Sequence, residues 1–169
     1  MANNFDCGNI VLNNFIKSTD ALDKSQGITY VMLTDKKDFI IGYYNISTGR
    51  VDLIEQIGES INYMPMGGSI NINYLAIHSN YQHKKIGTLK NGQSFYLGDF
   101  LLHDCEKRIM AIREKVGVMF ITLYSTEDGY NLYHNRNSYE GFEEDMNTFI
   151  NERDFECYKL YKCIDDIFL

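Results

Sequence analysis

The chain has 169 residues, 44% of them hydrophobic and 23% charged, with a formal net charge of −7, which predicts one compact domain over residues 1–169 with a sizeable core. That acidity argues against a broad nucleic-acid footprint, which wants a basic surface, and no apolar run approaches the roughly 20 residues that cross a bilayer. Residues 1–6 lack the basic and apolar regions of a secretory signal, so the expectation is a cytoplasmic protein with no membrane partner.

Residues 9–24 read as a helix whose apolar stripe is Leu12, Phe15, Ile16 and Leu22, interrupted at Ser18-Thr19-Asp20 and stopped by Gly27. β-branched and aromatic content predicts strands over 28–33 and 39–46, joined by a turn over 35–38. A second turn is expected at Thr48-Gly49, then a third strand over 51–57. Pro65, the single proline, lies in Met64-Pro65-Met66-Gly67-Gly68 and marks a loop. Residues 70–77 alternate but become apolar on both faces toward their C-terminal end, as a central strand does.

A polar stretch with His83, Lys84, Lys85 and Lys90 follows, then a helix over 97–116 carried by Leu97, Leu101, Cys105, Ile109, Ile112 and Val116 and ended by Gly117. Residues 118–124 form a strand of nearly continuous apolar character. Two such strands joined by a helix make a parallel crossover. A short helix over 128–134 and a closing strand over 155–163 complete the series. The fold class is α+β: a single mixed, mostly antiparallel sheet flanked by helices, with a central parallel β-α-β crossover. Cys7, Cys105, Cys157 and Cys163 match no zinc spacing and read as reduced thiols, and no metal site is expected.

The start of the long helix is the best chemical clue. A helix N-terminus offers unpaired N–H groups and a partial positive charge, a seat for phosphate or pyrophosphate. Phe95, Tyr96, Leu97, Gly98 and Asp99 occupy that position.

Three stretches resemble the GNAT-type (Gcn5-related) N-acetyltransferases: Tyr74-Leu75-Ala76-Ile77-His78, similar to the family's fourth strand; Gln93-Ser94-Phe95-Tyr96-Leu97-Gly98, similar to its Q/R-x-x-G-x-G/A pyrophosphate loop; and Thr126 to Tyr133 with Gly141-Phe142, similar to N-x-x-A-x-x-F-Y followed by G-F. A second alignment places the loop at Gln82-His83-Lys84-Lys85-Ile86-Gly87, with residues 88–94 inserted before the helix. The first is preferred because the loop then runs straight into the helix. Tyr96 and Gly129 depart from the pattern, Thr126 replaces its Asn, and residues 135–140 are extra.

The resemblance implies an acetyl-CoA-dependent N-acetyltransferase moving an acetyl group to a primary amine of a small molecule or peptide. Pantetheine would pair with Leu75, Ala76 and Ile77, the Ile77 N–H would serve the oxyanion, and Thr126 would line the coenzyme. Tyr133 would be the general acid, with His78 the natural titrating group at the strand's mouth. Phe5-Asp6-Cys7-Gly8, Leu12-Asn13-Asn14-Phe15-Ile16, Thr29-Tyr30-Val31 and residues 41–49 are similar to acetyltransferase toxins that modify aminoacyl-tRNA. The acidic charge weighs against tRNA here. The other expectations are a non-catalytic module of the same fold and a homodimer.

Overall fold

The computed structural model describes residues 1–148 and 157–168. The strands are β1 (Ile28–Leu33), β2 (Ile40–Ile57), β3 (Ser60–Ile77), β4 (Lys85–Thr88), β5 (Ser94–Tyr96), β6 (Phe120–Ser125), β7 (Glu140–Gly141), β8 (Met146–Thr148) and β9 (Tyr158–Cys163). The helices are α1 (Ile10–Lys17), α2 (Leu97–Arg113) and α3 (Glu127–Tyr130). One sheet runs β1-β2-β3-β6-β9-β7 with β8 beside β2, and β4-β5 forms a separate hairpin. The β3–β6 pair is parallel, while the β1–β2, β2–β8, β6–β9 and β7–β9 pairs are antiparallel. The architecture is the expected α+β mixed sheet, with α2 lying between the two parallel strands in sequence.

Contacts gather the chain into two compact units, Met1–Ser47 with Asn73–Lys107, and Thr48–Ile72 with Arg108–Leu169. The first packs Phe5, Phe15, Ile16, Ala21, Ile40, Tyr43 and Ala76 into its core. Phe15 stacks on Tyr74 at 3.9 Å between ring centroids, and the buried Tyr43 hydroxyl donates to the Leu12 carbonyl at 2.7 Å, so the ring meets apolar neighbours without stranding its polar tip. The Asn9 side chain accepts from the N–H groups of Val11 and Leu12 and so starts α1. The second unit packs Val51, Phe120 and Met146, with Leu53, Met66 and Phe142 against them. Its sheet buries a polar cluster in which the Thr122 and Ser69 hydroxyls both donate to the Asn71 side-chain oxygen.

Several expectations required correction. No turn occurs at Thr48-Gly49: β2 runs through both residues. Gly49 is there for closeness, since a Cβ on it would meet the Asn71 side chain at 2.5 Å. The hairpin closes at Gly58-Glu59, where Gly58 has φ +63, a conformation that suits glycine. Pro65 marks no loop, because it lies within the exposed part of β3. Proline is tolerated in strands where its missing N–H is not needed by the ladder.

The first helix is shorter than expected. It stops at Lys17, Ser18 caps a 3-10 turn over Thr19–Leu22, and Leu22 is 85% exposed rather than part of the stripe. The long helix ends at Arg113, leaving Val116 exposed. Residues 85–88 and 94–96, expected as loop, pair with each other. Residues 155 and 156 of the expected closing strand lie outside the described residues. Among the described residues no helix is long and apolar enough to cross a membrane.

Candidate active site

In the first unit the site is built on the end of β3. The parallel ladder with β6 stops at Ile72–Leu123, whereas β3 continues five residues further, to Ile77. The His78 N–H donates to the Ile41 carbonyl of β2 at 2.8 Å. Backbone groups alternate between the two edges of a strand. The Ile77 N–H therefore points to the edge away from β2, the edge that the ladder leaves at Ile72. Gly42 lets the two strands lie close, because a Cβ there would meet the Ala76 carbonyl and the Ile77 side chain at 2.8 Å each. Ala76 and Ile77 are buried and Leu75 is half-buried.

Beyond Ile77 the chain is pinned by a residue that the preferred alignment leaves out. The Gln82 amide donates to the carbonyls of both Ile77 and Cys7 at 2.9 Å, and the Ser79 N–H donates to the Asp6 carbonyl at 2.8 Å. The Phe5-Asp6-Cys7 segment is thus tied to the mouth of β3. Asp6 is held below the usual carboxylate range by the Gly8 N–H and the Asn13 amide. Burial pushes the Cys7 thiol up, so it stays protonated at neutral pH.

His78 is 7% exposed and boxed by Phe5, Phe39 and Tyr81 at ring separations of 5.7, 4.8 and 6.3 Å. Its Nδ1 accepts the Asn80 N–H at 3.2 Å. A neutral imidazole has one acceptor nitrogen, and here that lone pair is already engaged. In this tautomer Nε2 carries the proton, so His78 caps the turn over Ser79–Tyr81 and is poorly placed to be a base.

The two loop alignments converge at one place. The Leu97 N–H donates to the Lys84 carbonyl at 3.0 Å, so residues 82–84 abut the start of α2 and the β4–β5 hairpin is an excursion between them. His83 has φ +56, a left-handed conformation more usual for glycine. Phe95 and Tyr96 belong to β5 rather than to a loop, because Ser94-Phe95-Tyr96 pairs with residues 85–88. The Asp99 carboxylate, 2% exposed, accepts the Tyr96 N–H at 2.8 Å. Its side chain therefore caps the helix. With the Leu97 N–H given to Lys84, a first-turn N–H group such as that of Gly98 is what this helix start can offer an anion.

In the second unit Thr126 precedes α3, and its side chain makes no capping bond. The helix widens at once into a π-helical turn, Asn131–Asn135, which carries Tyr133. Such turns are rare and recur at functional sites. Tyr133 is 8% exposed, and its ring meets Tyr139 edge-on at 5.7 Å. Gly129 explains one departure from the family pattern, since a Cβ on it would meet the Ser125 hydroxyl at 2.9 Å and the Tyr133 ring at 3.3 Å. The extra residues are tied down: the Asn137 amide donates to the Leu132 carbonyl at 2.7 Å, and the Tyr139 N–H donates to the Tyr133 carbonyl at 3.1 Å. Among the described residues no His, Cys, Asp or Glu cluster could hold a metal ion.

No family model matches the chain. The probable toxin TacT of Sinorhizobium fredii (strain NBRC 101917 / NGR234) is 31% identical over 121 residues, 70% of this chain. The match spans 62% of that relative's length, less than two thirds of it. A bacterial toxin crystal structure superimposes with a TM-score of 0.71 at 16% identity, covering 99% of this chain and 85% of the other. A mutant AtaT toxin bound to the C-terminus of the antitoxin AtaR and acetyl-CoA gives 0.61 at 14% identity, covering 98% and 87%. AtaT complexed with acetyl-methionyl-tRNAfMet gives 0.63 at 14%, covering 99% and 89%. The chain has the GNAT fold, shared with these toxin structures, and it is similar in sequence to the probable toxin TacT.

Proposed function

We propose that the chain is an acetyl-CoA-dependent N-acetyltransferase whose acceptor is the α-amine of an aminoacyl-tRNA. The observation that carries this reading is the end of β3, where five residues outlast the parallel ladder and Ile77 turns an N–H toward the vacated edge. That edge suits a pantetheine arm added as a further strand. The structures with acetyl-CoA and with acetylated tRNA bring the ligand classes, and the sequence likeness to TacT favours the toxin reading over a small-molecule acceptor.

In this proposal a neutral amine attacks the thioester carbonyl, the N–C bond forms and the C–S bond breaks. The Ile77 N–H stabilises the oxygen as it gains charge. The Tyr133 hydroxyl donates its proton to the departing thiolate. The amine's surplus proton passes to solvent, which needs no protein base when the amine is that of an ester-linked amino acid, because its pKa is low. This fits the engaged Nδ1 of His78. Residues 82–84 and the first turn of α2 hold the pyrophosphate, with Leu75, Ala76 and Thr126 along the coenzyme. A partner protein that binds the chain is proposed on the strength of the AtaT–AtaR structure.

The test is transfer of labelled acetyl from acetyl-CoA to purified aminoacyl-tRNA, with free amino acids as the competing acceptor. The expected result is label on the aminoacyl-tRNA, with Tyr133→Phe lowering kcat about 10²–10⁴-fold and leaving KM for acetyl-CoA within about twofold. Full turnover in the Phe variant removes Tyr133 from the role. Label on free amines alone replaces the acceptor.

A further inference from the structure

The charge of the chain is unevenly spread. Met1–Ser47 with Asn73–Lys107 hold eight Lys or Arg against eight Asp or Glu, while Thr48–Ile72 with Arg108–Leu169 hold eight against fifteen. The whole excess of −7 belongs to the second unit. Between Glu59 and Asp99 there is no acid at all. The β4–β5 hairpin falls inside that stretch, and Lys84, Lys85 and Lys90 are exposed on it.

These cations are spread along the hairpin rather than gathered at one point. Lys85 is at the root, opposite Tyr96 in the register. Lys90 is in the tip, which is closed by the Leu89 N–H donating to the Gln93 carbonyl at 2.8 Å and turned by Gly92 at φ +86. The strand from Lys85 to Thr88 already parts the root from the tip by about 10 Å. One small anion cannot satisfy both, but a row of backbone phosphates can. Lys84 is committed over the Tyr81 ring at 5.6 Å. Among the described residues Lys85 and Lys90 have no acidic partner. Thr88, Asn91 and Gln93 add hydroxyl and amide donors, the groups that bond phosphate and sugar oxygens.

We propose that the β4–β5 hairpin is an RNA-contacting arm, whose Lys85 and Lys90 hold backbone phosphates of the nucleic acid that carries the acceptor amine. The proposal rests on the aminoacyl-tRNA reading given above. It also explains how an acidic chain engages a polyanion: the contact is confined to an acid-free projection.

The test measures binding of a fluorescent, deacylated tRNA acceptor-stem RNA to the full chain across a salt series. Each lysine–phosphate contact contributes about 0.7–0.9 to the slope of log K against log salt. Lys85→Gln with Lys90→Gln should lower that slope by about 1.5 and weaken binding about tenfold at low salt, with the affinity for acetyl-CoA unchanged. Lys36→Gln with Lys37→Gln, on an exposed turn elsewhere in the same unit, should leave the slope as it is.

An unchanged slope in the hairpin variant overturns the proposal. So does an equal fall in the control variant, which would mean undirected charge, or a parallel loss of acetyl-CoA affinity, which would assign the hairpin to the coenzyme. Because the RNA is deacylated, a chain that binds it through the arm yet transfers no acetyl group sinks the activity and leaves the arm standing.

Discussion

Asp6 shows how a short polar residue organises its surroundings. Its side chain accepts the Gly8 N–H at 2.9 Å and the Asn13 amide at 2.8 Å, while its carbonyl receives the Ser79 N–H. Those bonds favour the ionised form and hold its acidity below the usual carboxylate range. A depressed carboxyl stabilises the fold above its unfolded value, and the contribution is lost as pH falls through the folded value. In thermal melts Asp6→Asn should therefore lower the Tm near neutrality, with the gap to wild type closing below about pH 4. A gap that stays constant from pH 7 to pH 2 would show that the carboxylate charge plays no part. Individual chemistry of this kind was only partly legible in the sequence. Tyr133 could be singled out from a pattern, but the engaged Nδ1 of His78 depends on where Asn80 falls, and the capping role of Asp99 depends on β5 reaching back to it.

At the scale of elements, periodicity told most where one face is buried. The spacing of Leu101, Cys105 and Ile109 gave α2 because these residues are buried in a core, whereas β1, half-buried to exposed along its length, was read from its β-branched and aromatic content. It told least where both faces are wet. Residues 85–96 have no apolar period, and their pairing is fixed instead by the 3.0 Å bond between Lys84 and Leu97 at the root. That bond has a consequence for excision. With the root closed by that bond and Gly87 already paired with Phe95, a short Gly linker can replace residues 88–94 and leave Tyr96 in place to bond the buried Asp99. The shortened chain should keep its Tm within about 5 °C, because exposed segments contribute little, and should still bind acetyl-CoA by calorimetry. Collapse of the fold on excision would show that the hairpin is structural. Gly49 and Pro65 misled for a related reason: each is a turn former by preference, yet one is needed for close packing and the other lies on an exposed strand.

For the whole molecule, β2, β3 and α2 each run through both compact units. We propose a single folding domain on that ground, and expect one transition in urea with the circular dichroism and tyrosine fluorescence curves coinciding. Two separated transitions would make the units independent. On the proposed reading, net charge is a poor guide at this scale, because it weighs against RNA by averaging an acidic unit with a neutral one that carries an acid-free stretch.

Pro65 has a wider meaning in this light. The outer part of the β2–β3 ribbon presents Ile57, Ile61, Tyr63 and Met64 to solvent, a composition that invites foreign strands to dock and grow into aggregates. A proline in β3 withholds one hydrogen-bond donor from any intruding chain. The residue that reads as a break in the sequence thus stands where a gatekeeper belongs on an exposed apolar ribbon.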